Sequence, residues 1–134
     1  MQGSGALVEA AVMTNLTVVL DNTPGSLAAV CEAVGHAGVN IEGLCCFASQ
    51  GIALLYLAVE DASGARRVIE GLGLKISEER PVVALTVEDQ PGGAGKLLRR
   101  FGDAEINVQL AYQVTGTRII IGADNIERVK RLAR

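Results

Sequence analysis

The residues best placed to do chemistry lie at a turn. Asp21-Asn22-Thr23-Pro24-Gly25 follows an apolar run and precedes an amphipathic one, with Ser26 and Leu27 opening the latter. Unpaired N–H groups at a helix start, with the helix dipole behind them, attract a carboxylate or another anion. Glycine there lets a guest approach the backbone closely. A free amino acid fits: its carboxylate meets the N–H groups and its ammonium meets Asp21, Asn22 or a carbonyl. The same five residues also make an ordinary turn and cap, and local physics alone leaves both readings open.

The elements around this turn follow from periodicity. Leu16 to Leu20 is β-branched and apolar, which predicts a strand. Pro24 suits a first helical position, with Asn22 or Thr23 as the expected N-cap. Leu27, Val30, Cys31 and Val34 form one helical stripe, so the helix is expected over 24–37. Gly38 stops it, and Val39-Asn40-Ile41 opens a second strand, expected over 40–48.

The same pattern recurs. Pro91-Gly92 follows Glu88-Asp89-Gln90, and Asn107 stands between Ile106 and Val108. The offsets 91 − 24 and 107 − 40 are both 67. Val30, Cys31, Val34 and Gly35 then match Leu97, Leu98, Phe101 and Gly102. Two landmarks held in register across a helix indicate a duplication.

A strand ending in an acidic-polar-x-Pro-Gly turn, an amphipathic helix, and then Gly-Val-Asn-Ile resembles the ACT domain, a small regulatory ligand-binding module. The resemblance covers the chain from about Thr14 onward as two copies. It implies an α+β fold of two tandem βαββαβ ferredoxin-like units, each an antiparallel sheet with helices on one face. It also implies a ligand held by the first turn of one unit and the start of strand two of its neighbour. Those positions are Asp21 to Leu27 with Val39, Asn40 and Ile41 in the first copy. In the second they are Asp89, Gln90 and Gly92, next to Pro91, with Ile106, Asn107 and Val108. An amide at Asn40 or Asn107 offers both donor and acceptor to a zwitterion; alternatively, each Asn closes its helix in a left-handed conformation. Asp89 is less welcoming to a carboxylate, so the first loop is the expected better site.

The rest of the chain fits this frame. Ile52 to Val59 reads as a central strand after a hairpin at 49–51. Asp61 caps a helix carrying Ala65, Val68, Ile69 and Leu72. Leu74 to Ser77 is a short fourth strand, and Glu78-Glu79-Arg80-Pro81 joins the copies. The second copy has strands over 82–87, 107–114 and 118–123, a hairpin at Thr115-Gly116, a helix over 93–102, and a last helix capped by Asp124. No fourth strand follows, so the last strand of the second unit is missing. The expected domains are 1–13 as an N-terminal extension, 14–79 and 80–134. Residues 6–12 alternatively form a strand or short helix over an exposed sheet edge.

Other functions find little support. The 134 residues carry a net charge of −3, with 49% hydrophobic and 3% aromatic residues and no Trp, which argues against nucleic acid. No stretch suits a membrane span. The three cysteines are an odd number, two of them adjacent, and read as free thiols in a reducing cytoplasm. With His36 the only histidine, neither a metal site nor a cofactor is expected, nor a catalytic set. Gly92-Gly93-Ala94-Gly95-Lys96 lacks the remaining residues of a phosphate loop, since Gln90 and Leu97 stand where glycine and Ser or Thr belong. The expected protein is a cytoplasmic, homodimeric, non-enzymatic sensor of an amino acid, acting by allosteric regulation, with a possible partner enzyme. The alternative is a ligand-free interaction subunit that docks on an enzyme or regulator through a sheet edge.

Overall fold

The computed structural model describes residues 10–133. Among them are β1 (Ala10–Asp21), α1 (Ser26–His36), β2 (Ile41–Ser49), β3 (Ile52–Val59), α2 (Ala62–Gly71), β4 (Lys75–Thr86), α3 (Gly93–Asp103), β5 (Val108–Val114), β6 (Arg118–Ala123) and α4 (Ile126–Ala133). The class is α+β. The chain divides into two compact units, residues 13–80 and residues 81–133 with 10–12.

In the first unit the strand order is β2-β3-β1-β4. β3 runs antiparallel to both neighbours, from Thr14 opposite Val59 to Asp21 opposite Ile52 on one side and from Ile41 opposite Val59 on the other. Alternation along β1 sends Leu16, Val18 and Leu20 into a core with Leu55, Leu57 and Val59 of β3. Helical spacing brings Val30 and Val34 of α1, and Ala65 and Ile69 of α2, into the same cluster. Each fully buried Leu or Val there contributes about 1.5–3 kcal/mol over its exposed state. Asp61 caps α2 as its sequence suggests, its carboxylate accepting from Gly64 N–H at 3.0 Å.

The second unit has the order β4-β6-β5. Val83, Leu85 and Val87 face Ile119 and Ile121, with Leu97 and Phe101 of α3 and Val129 of α4 above them. Leu97 and Phe101 are the 67-residue counterparts of Val30 and Val34, and all four are buried. The repeat extends to a shared irregularity: β2 slips register between Ile41 and Gly43, and β5 between Val108 and Leu110.

Several boundaries differ from the sequence expectation. β4 is one strand, so Glu78 to Pro81 is not a loop. Pro81 precedes Val83, the first residue paired to β6, and therefore removes no bond from that ladder. β1 begins at Ala10, not near Leu16. Ala10 and Ala11 line a cavity of about 330 Å³ with Ala84, Thr86 and Arg118, which sets the start of β1 beside β4 in the second unit. That is the place a fourth strand takes in this topology. No strand follows α4 among the described residues. The part of the 1–13 extension over 1–9 lies outside the described residues. Asn125, not Asp124, caps α4: its side-chain oxygen accepts from Arg128 N–H at 3.1 Å.

Candidate functional site

The Pro-Gly pair does not start a helix. Thr23 carbonyl accepts from Ser26 N–H at 3.2 Å, and Gly25 holds φ 88° and ψ −12°. Proline followed by glycine at positive φ, closed by that bond, is a type II turn. α1 therefore begins at Ser26, with Gly25 as its N-cap and no side-chain cap. Neither Asn22 nor Thr23 caps it: the Thr23 hydroxyl instead bonds the Ser26 hydroxyl at 2.6 Å.

The second turn repeats the backbone bonds of the first. Gln90 carbonyl accepts from Gly93 N–H at 3.0 Å, and Gly92 has φ 85°. Thr23 N–H to Asp21 carbonyl and Gln90 N–H to Glu88 carbonyl both measure 2.9 Å. Neither helix start has a side-chain cap. The first-turn donors of Leu27 and Ala28, and of Ala94 and Gly95, have no carbonyl four residues back within their helices.

The far ends of the two helices also match. Gly38 and Glu105 take positive φ, 81° and 58°. Val39 N–H reaches Val34 carbonyl at 3.2 Å, and Ile106 N–H reaches Phe101 carbonyl at 2.9 Å, each closing a Schellman motif. The left-handed residue is thus Gly38 or Glu105, not Asn40 or Asn107. Val39 and Ile106 are core residues, each 6% exposed. Ile41 and Val108 are half-buried against the same cores, and both asparagines are exposed. Asn40 donates its amide to Glu42 at 2.7 Å.

These positions do not all meet within a unit. Turn and asparagine lie at opposite ends of an 11-residue helix, about 16 Å apart along its axis. A guest the size of an amino acid cannot touch both ends.

The second turn lines an open cavity of about 360 Å³, with Glu88, Asp89, Gln90 and Gly92 on one side and Gln113 and Thr117 on the other. Glu88 accepts from Gln90 at 2.6 Å and from Lys96 at 3.4 Å. Lys96 thus offsets one of the two acids, leaving the loop one net negative charge, as Asp21 alone leaves the first. The extra acid at Asp89 therefore does not by itself rank the first loop above the second. Glu88, Gln113 and Thr117 were missed in the sequence. The register offered Glu88 as the counterpart of Asp21, but the other two come together only through the β5–β6 hairpin. Another cavity, about 200 Å³, lies at the β2–β3 hairpin among Phe47, Ser49, Gln50, Ile52 and Leu54.

Among the described residues no group of three or more His, Cys, Asp or Glu converges as a metal site. No helix among them is long and apolar enough to cross a membrane. His36 is exposed in the last turn of α1.

No protein-family model and no curated protein sequence matches the chain. Solved structures do. Protein BT0572 from Bacteroides thetaiotaomicron superposes with a TM-score of 0.80 at 20% identity, over 92% of this chain and 87% of that one. The ligand-free regulatory subunit of aspartate kinase from Thermus thermophilus gives 0.74 at 17%, over 94% and 93%. Aspartokinase III of E. coli, solved with lysine and aspartate, gives 0.54 at 16%, over 94% of this chain and 31% of that one. The chain has the ACT-type fold of aspartate kinase regulatory subunits.

Proposed function

We propose that this chain is a tandem ACT protein that binds a small molecule, an amino acid by its chemistry, and regulates a partner. The observation that carries the reading is the paired turn. Two helix starts, 67 residues apart, share the same type II geometry and leave their first-turn donors uncapped. Uncapped donors with the helix dipole suit a carboxylate. Asp21 in one copy, and Glu88 and Asp89 in the other, suit an ammonium. A neighbour named for a complex with lysine and aspartate agrees with that class.

The site residues are Asp21 to Leu27 with Val39, Asn40 and Ile41, and Asp89, Gln90 and Gly92 with Ile106, Asn107 and Val108. Val39 and Ile106 contribute backbone, since their side chains are in the cores. The length of α1 separates turn from asparagine, so a second copy supplies Asn40. The edge strand β2 is where that copy pairs: Gly43 to Ser49 carries no charge, and Leu44 and Phe47 are 45% and 50% exposed. Ligand clamped between copies biases their pairing, and a partner that reads the pairing is regulated. The role is regulatory, not catalytic.

The same edge favours one other reading, a ligand-free subunit that docks on an enzyme through β2. A thermal-shift screen against the twenty amino acids separates the two. A sensor gains stability with one or a few related amino acids and loses the gain in Asn40→Ala. A docking subunit gains none.

A further inference from the structure

The helices of the two copies share a framework and differ in charge. α1 and α2 carry Arg66 and Arg67 against Glu32 and Glu70, so 2 − 2 = 0. α3 and α4 carry Lys96, Arg99, Arg100, Arg128, Lys130 and Arg131 against Asp103 and Glu127, so 6 − 2 = +4. Lys96, Arg99 and Arg100 stand 67 residues after Ala29, Glu32 and Ala33. Arg128 stands 64 after Gly64, the offset that also relates the caps Asn125 and Asp61. The first copy packs its helices on its sheet without these four cations, so the fold does not require them.

Carboxylates answer only half of the six. Lys96 pairs with Glu88 at 3.4 Å, Arg99 with Asp103 at 3.8 Å and Lys130 with Glu127 at 2.9 Å. Arg100, Arg128 and Arg131 have no carboxylate within ion-pair distance among the described residues. Two of the three are held by backbone instead. Arg100 of α3 donates to the Leu132 carbonyl of α4, and Arg128 of α4 donates to the Ala104 carbonyl just past α3, the latter at 2.8 Å. A guanidinium has five donors, so each keeps most of its own. Side chains already held in place lose little further freedom when they meet a carboxylate.

We propose that the α3–α4 face is a docking surface for a short acidic segment of a protein partner, whose carboxylates meet Arg100, Arg128 and Arg131. It rests on the regulatory reading only in assigning that segment to the regulated partner. Charge complementarity selects the occupant. Planar guanidinium groups match carboxylates in paired bonds. Residues 13–80 carry 4 basic and 8 acidic side chains, a net −4. The rest of the chain therefore repels a long polyanion, while a short segment meets the basic face alone. Nucleic acid also lacks a stacking partner there, because Phe101 is the one aromatic on the two helices and is fully buried.

The test is fluorescence anisotropy of a short fluorescein-labelled polyglutamate peptide titrated with the full chain. Binding is expected at low salt and falls as salt rises. Arg99 and Arg131 are exposed and brace neither helix. Arg99→Glu/Arg131→Glu should weaken binding roughly tenfold. Arg67→Glu, on α2 at the counterpart of Arg131, should leave it unchanged. The amino-acid thermal shift should survive Arg99→Glu/Arg131→Glu, so either reading can fail without the other. No binding at low salt, equal loss in Arg67→Glu, or tighter binding to a single-stranded oligonucleotide or to phosphatidylserine vesicles than to the peptide would overturn the proposal.

Discussion

Three neighbouring glycines around the start of α3 should respond to alanine in three different ways. A Cβ on Gly93 would stand 2.1 Å from the Glu88 carbonyl oxygen and 3.0 Å from its carbon. Those are backbone atoms, so the turn itself must move, and overpacking of this kind costs about 1–3 kcal/mol. A Cβ on Gly92 meets nothing within 4 Å, but its φ of 85° is left-handed, a strain of about 1–2 kcal/mol for alanine. Gly95 has neither problem, with open space and helical backbone. Alanine there should stabilise by up to about 1 kcal/mol. For a chain of this size each 1 kcal/mol moves Tm by about 4 °C. The chain has no Trp, so the assay is guanidinium unfolding followed by far-ultraviolet circular dichroism. The expected order of midpoints is Gly95→Ala above wild type, and Gly92→Ala and Gly93→Ala below it, with unchanged slopes. A Gly93→Ala protein as stable as Gly95→Ala would refute the close approach of α3 to Glu88, and with it the geometry of the turn.

Glu105 is a non-glycine residue at φ 58°, where its counterpart is Gly38. Glu105→Gly should relieve strain beyond the added freedom of the unfolded chain, a net gain of about 0.5–1 kcal/mol in denaturant titration. Arg66 holds Glu79 through two side-chain bonds of 2.9 and 2.6 Å, and that hydrogen bonding lowers the Glu79 carboxyl. The folded value lies below the unfolded one, so the pair's contribution is present above the unfolded value and lost as pH falls through the folded one. The Tm advantage of wild type over Glu79→Gln should therefore shrink in acid and in high salt. An advantage constant across that range would contradict the pairing.

Much of this architecture was legible in the sequence because the duplication is nearly gapless. Val30 and Val34 announce Leu97 and Phe101, and all four reach their cores. The register first slips at the hairpins, where Gln50-Gly51 and Gly116-Thr117 take positive φ at an offset of 66, and it shortens to 64 at the helices that follow, where Asp61 caps α2 and Asn125 caps α4. What stayed hidden was context. Proline before a helix suggested a first helical position, but the left-handed Gly25 and Gly92 make it the corner of a turn. Pro81 suggested a break, yet β4 runs through it because no β6 partner needs its missing N–H. The role of residues 10–12 depends on a strand more than 60 residues away, which no local pattern encodes. At the site, Asp21 to Gly25 and their counterparts were legible as turns. Gln113 and Thr117 were not, because only folding brings the hairpin to the turn.

The central claim is that these paired turns bind an amino acid, and the most direct measurement is the melting temperature of the full chain with each of the twenty in turn. A ligand at a hundredfold excess over its Kd that binds only the folded state adds about 2.7 kcal/mol. The account expects a clear rise with one or a few chemically related amino acids, lost in Asn40→Ala. A flat response to all twenty would contradict it.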